Sequence, residues 1–229
     1  MKVDALYRYP VKSLGGEALG QLDVARHGVV GDRTWYVRTE DGFIGSGKAT
    51  RRFRRVDGLL ALSATTTDDG PLVSFPDGTA HRAGSSAADA ALAAHTGRSV
   101  RFAPESDVRV LDEGPVHLLT TSSLRRLADV VGDEVDARRF RANVVVASPE
   151  HDGFPENSWR TVRLGSEVVL RVEGPMPRCV MVTMATRDLD ADHRVLRAVH
   201  AAAGGDLVVW ATVVRPGRVG LGDAVVAGS

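Results

Sequence analysis

The sequence contains one cysteine, Cys179, in 229 residues. A lone thiol excludes an intramolecular disulfide. It also excludes a Cys-ligated iron–sulfur cluster or a Cys-rich zinc site, each of which takes several thiolates. Lysine is almost as scarce: Lys2, Lys12 and Lys48 are the only three among 29 basic residues, and the rest are arginine. With Ala, Gly and Val also abundant, that bias follows a GC-rich genome, so a lysine inside a structured motif carries more information than usual. Net charge is zero, which removes any general electrostatic pull toward nucleic acid or membrane. No apolar run approaches the roughly 20 residues of a membrane span. The first residues, Met1 to Tyr7, include an acid and no long apolar core, unlike a signal peptide. These absences predict a cytoplasmic protein without nucleic-acid or membrane partners. What is present is ordinary for a globular chain, 43% hydrophobic and 25% charged, with length for one large domain or two smaller ones sharing a core.

Short strand patterns punctuated by turn residues dominate. Residues 3–7, 19–25, 34–38, 59–66, 72–75 and 100–102 read as strands by β-branched content or alternation, with turns at Asp41-Gly42, Asp68-Asp69-Gly70-Pro71 and Asp77-Gly78. Ala87–His95 reads as a helix closed by Gly97. In the second half, Leu124, Leu127, Ala128 and Val131 repeat at helical spacing, and Asp192–Ala203 forms a second amphipathic segment ended by Gly204-Gly205. Residues 116–119, 144–146, 162–164, 168–172, 207–214 and 219–226 supply further strands. Many short strands and few helices predict a β-rich α+β fold of barrel type. The polar stretch 104–115 has no clear period and reads as a linker or lid between two halves, dividing the chain into 1–103 and 104–229.

Several segments carry possible chemistry. Lys12 and Ser13 sit in a turn whose following glycines, Gly15 and Gly16, allow close backbone approach. The run Arg51–Arg55 is either a solvated loop facing acids or an anion-binding rim. Thr120, Thr121, Ser122 and Ser123 precede a helix, where hydroxyls serve as plain caps or help cradle an anion on free N–H groups. Arg141 and Asn143 stand one residue apart at a strand start, so period-two geometry puts them on one face toward one ligand. In Gly174-Pro-Met-Pro-Arg-Cys179, Pro175 and Pro177 fix φ and remove two donors, which predicts extended chain leading into a short strand, Val180–Val182. Cys179 is then either a small buried hydrophobe or a reactive thiol beside Arg178, whose guanidinium favours the form that attacks electrophiles or binds a soft metal.

Read together, Tyr9-Pro-Val-Lys-Ser13, Gly31-Asp-Arg-Thr-Trp35, Phe140-Arg-Ala-Asn-Val144, Glu156-Asn-Ser-Trp159, Arg178-Cys-Val-Met-Val-Thr183 and the Pro216-Gly…Gly222-Asp ending make the chain resemble MOSC-domain proteins. The likeness extends to a MOSC N-terminal β-barrel domain in front, and is nearest to the mitochondrial amidoxime reducing component and its bacterial relatives. The resemblance implies a MOSC β-barrel fused to a smaller mixed β domain, with a cofactor cleft between them. It implies a molybdenum cofactor of molybdopterin type, with Cys179 as the metal ligand. Lys12, Ser13, Arg33, Arg141, Asn143 and Arg178 are implied as cofactor contacts, with a looser transfer to Thr120–Ser123. Asp32 and Glu156 are candidate outer proton carriers. Pyridoxal phosphate, linked to the family through partner domains, fits poorly, because only Lys12 and Lys48 could form its Schiff base. The implied reaction is reduction of N-hydroxylated compounds such as amidoximes and hydroxylamines. Its electrons would come from a separate protein of ferredoxin, flavin-reductase or cytochrome type, since the ferredoxin-like extension and membrane anchor of some members have no counterpart here. The alternative is sulfur transfer or cofactor handling through a persulfide on Cys179. Pro177 departs from the small polar residue common at that place.

Overall fold

The computed structural model describes residues 1–105, 110–111, 113–149 and 153–228. The linker expected over 104–115 falls partly on residues outside that set. The fold is β-rich α+β, with three α-helices among the described residues. An eight-stranded sheet runs in the order Val225–Gly228, Thr161–Leu164, Val168–Pro177, Asp206–Arg215, Val116–Thr120, Val144–Ala147, Lys2–Arg8, Glu17–Ala18. A three-stranded sheet joins Gly217–Gly220, Gln21–Ala25 and Gly28–Val29. Two further sheets lie within residues 35–104: one of four strands, centred on Trp35–Thr39 and Ile44–Ser46, and one of three, centred on Gly70–Ser74.

Alternation explains why these strands pack as they do. Leu22 and Val24 of Gln21–Ala25 point inward while Gln21 and Asp23 face out, as a period of two requires. They join Val3, Leu6, Val116, Val144, Leu170 and Val209 in the largest apolar core. A second core gathers Val11, Leu14, Val37, Leu62, Val73, Leu92 and Phe102. Each such side chain, fully buried, contributes on the order of 1.5–3 kcal/mol. Two elements early in the chain cross into the later half: Lys2–Arg8 pairs antiparallel with Val144–Ala147, and Gln21–Ala25 with Gly217–Gly220.

The helices begin and end on sequence signals. Helix α1, Ser86–Thr96, is capped by Ser85 accepting from Ala88 N at 3.1 Å. Helix α2, Thr121–Val131, is capped by Thr120, and helix α3, His193–Ala203, by Asp192. All three stop at a glycine in the left-handed region: Gly97, Gly132 and Gly204. Two strand expectations are corrected. Leu59–Ala61 is a 3-10 turn, and the strand starts at Ser63. Leu59 and Leu60 are both buried, and consecutive residues of a strand face opposite ways. Val180–Thr183 is likewise a 3-10 turn rather than a strand. Pro177 pairs opposite Asp206, the first residue of its neighbour, and Arg178 N donates to Gly205 O at 2.9 Å. Beyond that point the ladder has no partner, and Thr183 Oγ1 donates to Val180 O at 2.7 Å to close the turn.

Candidate cofactor cavity

A cavity of about 340 Å³ lies where the turns of the early chain meet those of the later chain. Such a volume suits a small-molecule site. Its lining includes Lys12, Ser13 and Arg33 from the first half and Arg141, Arg178 and Cys179 from the second. The turn carrying Lys12 and Ser13 is pinned by Lys12 N donating to Trp35 O at 2.8 Å and by Leu14 N donating to Val11 O. Lys12 is buried with its Nζ 4.5 Å from the centroid of Phe53. The Ser13 hydroxyl donates to Ser46 Oγ at 3.3 Å.

Arg33 is held on all sides. Its Nη1 pairs with Asp32, its Nη2 donates to Arg141 O at 2.9 Å, and the same nitrogen lies 3.5 Å from His117 Nδ1. Arg141 in turn donates to Leu14 O. Arg178 Nη2 donates to Phe140 O at 3.2 Å. Tyr9 lies between two of these cations, with Arg141 Cζ 4.2 Å and Arg33 Cζ 5.0 Å from its ring centroid, both inside cation–π range. Ser13, Arg33 and Arg141 all have positive φ, at 67°, 53° and 55°. Backbone in that region is costly for residues other than glycine and clusters at functional sites.

The thiol sits on the cavity wall. Cys179 is half-buried and extended, with its carbonyl accepting from Val182 N at 3.2 Å. Across the lining, eight basic side chains face two acids, Glu113 and Asp188, so the cavity attracts anions. His117 is buried within this field. Desolvation first, then the charges of Arg33 and Arg178, hold its pKa well below the ordinary imidazole value, so the ring is neutral. Burial pushes the Tyr9 phenol far above its usual range, against the opposing pull of Arg141 and Arg33.

Other expected site residues are placed elsewhere. Asn143 does not share a face with Arg141: its Oδ1 accepts from His117 N at 3.1 Å and its Nδ2 donates to Tyr7 O. The left-handed turn at Arg141 breaks the period-two argument. Asp32 is outside the lining and acts on it indirectly, accepting from Tyr9 N at 2.7 Å while neutralising Arg33. Thr120, Thr121, Ser122 and Ser123 are also outside the lining. Thr120 Oγ1 and Ser123 Oγ donate to the Glu156 carboxylate at 2.8 and 2.6 Å, Thr121 Oγ1 accepts from Ser148 N, and Ser122 Oγ donates to Gly153 O. The helix start is thus closed by the protein itself. Glu156, with no exposed surface, is its buried acceptor and lies outside the cavity lining. Burial raises its pKa, with the Ser123 and Thr120 hydrogen bonds opposing. Arg51–Arg55 follows the solvated reading at Arg54 and Arg55, which pair with Asp41 and Asp57 at the surface.

Sequence reasoning missed Tyr9 as a platform, His117 and the methionines Met176, Met181 and Met184, all of which line the cavity. A histidine inside the apolar run Val116-His117-Leu118-Leu119 was the signal available for one of them.

The fold is β-rich, and its one thiol stands in the wall of a cation-lined cavity of small-molecule size. Residues 97–226 match the model of the MOSC domain, and residues 1–100 match that of the MOSC N-terminal beta barrel domain. The chain belongs to the MOSC family, which is associated with binding of the molybdenum cofactor. No curated protein matches it. Among solved structures it is similar to the YuaD protein from Bacillus subtilis, over 98% of this chain and 93% of that one, with a TM-score of 0.55 and 16% identity; this likeness supports the fold. YiiM from Geobacillus stearothermophilus aligns with 50% of this chain and 54% of its own at a TM-score of 0.38 and 13% identity.

Proposed function

We propose that the cavity holds a molybdenum–pterin cofactor with Cys179 as its protein ligand, and that the protein is an oxidoreductase acting on N-hydroxylated compounds. The observation that carries this reading is the placement of the lone cysteine on the wall of a cavity rich in arginine and lysine. The donor set fits the group. Among the described residues no cluster of three or more His, Cys, Asp or Glu could hold a metal ion, which accords with a metal that brings its other ligands with it to Cys179. A thiolate suits a soft centre already bound by sulfur. Tyr9 Oη is buried in the lining without a hydrogen-bond partner among the described residues, which leaves a donor for a bound anion.

When bound, the cofactor supplies two-electron redox chemistry to the cavity. Lys12, Ser13, Arg33, Arg141 and Arg178 bind and orient its anionic groups, where arginine forks are well matched to phosphate. Asp32 holds the Arg33 guanidinium in place, and neutral His117 packs beside it without adding charge. Reduction of N–OH to N–H with release of water consumes two electrons and two protons. An external protein of ferredoxin, flavin-reductase or cytochrome type is the proposed electron source.

The test is metal content and turnover. Protein purified from a molybdenum-replete host carries close to one molybdenum per chain, and Cys179→Ser or Cys179→Ala loses it. With a reduced chemical donor it reduces benzamidoxime, and Lys12→Ala or Arg141→Ala abolishes turnover. Absence of molybdenum together with labile sulfane sulfur on Cys179 replaces this reading with sulfur transfer.

A further inference from the structure

The sequence has four methionines, and the three beyond Met1 all line the one cavity that contains Cys179. Met176 is buried and belongs to a hydrophobic core. Met181 and Met184 differ: both are half-buried, and neither belongs to an apolar core cluster among the described residues. Leu60, buried and also lining the cavity, is likewise outside those cores. These three side chains converge on Gly47. A methyl group built on its Cα would stand 3.5 Å from Met181 Cε, 3.6 Å from Met184 Sδ and 3.7 Å from Leu60 Cδ1. Ser46 Oγ donates to Met181 Sδ at 3.8 Å, a weak contact that leaves the thioether free to adjust.

We propose that Leu60, Met181 and Met184 form the face that receives an uncharged, apolar substrate body, and that an aromatic ring suits it best. This rests on the proposed cofactor-dependent oxidoreductase reading of the cavity and specifies which part of the substrate the wall beside the cofactor's place grips. No apolar core cluster among the described residues uses these side chains, and the half-buried Met181 and Met184 keep apolar area open to a ligand, with Leu60 buried behind them in the lining. The cavity's 340 Å³ admits a small molecule and no macromolecular segment. Charge is handled by the arginines and lysines, leaving the thioether wall to contact what carries none. Methionine is flexible and polarizable, makes favourable contacts with aromatic rings, and adapts to ligands of varied outline. One wall therefore accepts many apolar bodies while the reacting group stays near Cys179.

Methionine methyl groups give a direct readout. Protein labelled with [13C-methyl]methionine has four methyl signals, assigned with single Met→Leu variants, and is titrated with benzamidoxime and with acetamidoxime, which share a head group and differ in body. The expected result is ring-current shifts at Met181 and Met184, no shift at Met1, and binding of the aryl compound about tenfold tighter than the alkyl one. Met181→Leu with Met184→Leu keeps that preference. Met181→Gln with Met184→Gln, similar in length but polar, brings the ratio near one, with thermal melts confirming the fold. Equal affinities, or Met181 and Met184 signals unmoved by either compound, overturn the proposal. A preserved aryl preference in protein without molybdenum or turnover supports the wall and removes the N-reduction reading. Turnover of both compounds with equal KM does the reverse.

Discussion

Arg33 Nη2 donates to the backbone carbonyl of Arg141 at 2.9 Å, joining positions 108 residues apart. Both residues sit in left-handed backbone and flank the ring of Tyr9. The bond couples cavity-lining groups of the two halves of the chain, so disturbing one residue displaces the other.

Arg33→Ala leaves the Asp32 carboxylate buried without its cation, and such broken pairs cost about 3–5 kcal/mol. Arg33→Lys keeps the charge but cannot serve Asp32 and Arg141 O with one fork, and the expected loss is about 1–3 kcal/mol. Urea unfolding at constant m-value measures both.

Tyr9→Phe removes a buried hydroxyl that has no partner among the described residues. The cofactor-free variant is expected to be as stable as the parent or more so, by up to about 1 kcal/mol. The loaded variant should retain less molybdenum after dialysis. Melting temperature and metal analysis on one preparation separate the two effects.

Glu156 gives a pH signature. Its folded pKa lies above the ordinary 4.5 because burial disfavours the charged form. The unfolded chain therefore releases its proton first as pH rises, and stability present below pH 4.5 is lost as pH climbs through the folded value. Glu156→Gln should flatten that decline in the unfolding free energy. Because Glu156 is outside the cavity, turnover per folded molecule should not change.

His117 has the opposite slope. Its folded pKa lies below the ordinary 6.5, so its contribution is complete above that pH and is lost as pH falls from there toward the folded value. Protonation would place a charge beside Arg33 and Arg178. In His117→Gln, acid unfolding should begin at lower pH, read from melting temperature across mildly acidic buffers.

Much of the fold was legible because local chemistry decides it. Ser85, Thr120 and Asp192 announce helix starts, and the alternation of Leu22 and Val24 announces a half-buried strand. The motifs carrying Lys12, Arg33, Arg141 and Cys179 pointed to residues that do share a cavity. What stayed hidden depends on tertiary partners. The Thr120–Ser123 hydroxyls look like an anion cradle until Glu156 arrives from beyond residue 150 to fill it. Arg141 and Asn143 look like neighbours on a strand until the backbone turns left-handed at Arg141. Val180–Thr183 has strand composition, yet the neighbouring strand has run out. The wall of Met181 and Met184 has no sequence period, because it is assembled over Gly47 from distant parts of the chain.

The pairing of Lys2–Arg8 with Val144–Ala147 also bears on how the molecule is made. A ribosome adding about 5–20 residues per second leaves the first strand waiting on the order of ten seconds for its neighbour. Gln21–Ala25 waits longer still, for Gly217–Gly220. During that interval the emerging chain carries open strand edges that invite pairing with other chains, and chaperones are the usual shelter. Arg33 is synthesised early and Cys179 late, so the cavity exists only once most of the polypeptide has left the tunnel. Binding of any small molecule in that cavity is thereby confined to the period after synthesis, when both halves have closed around it.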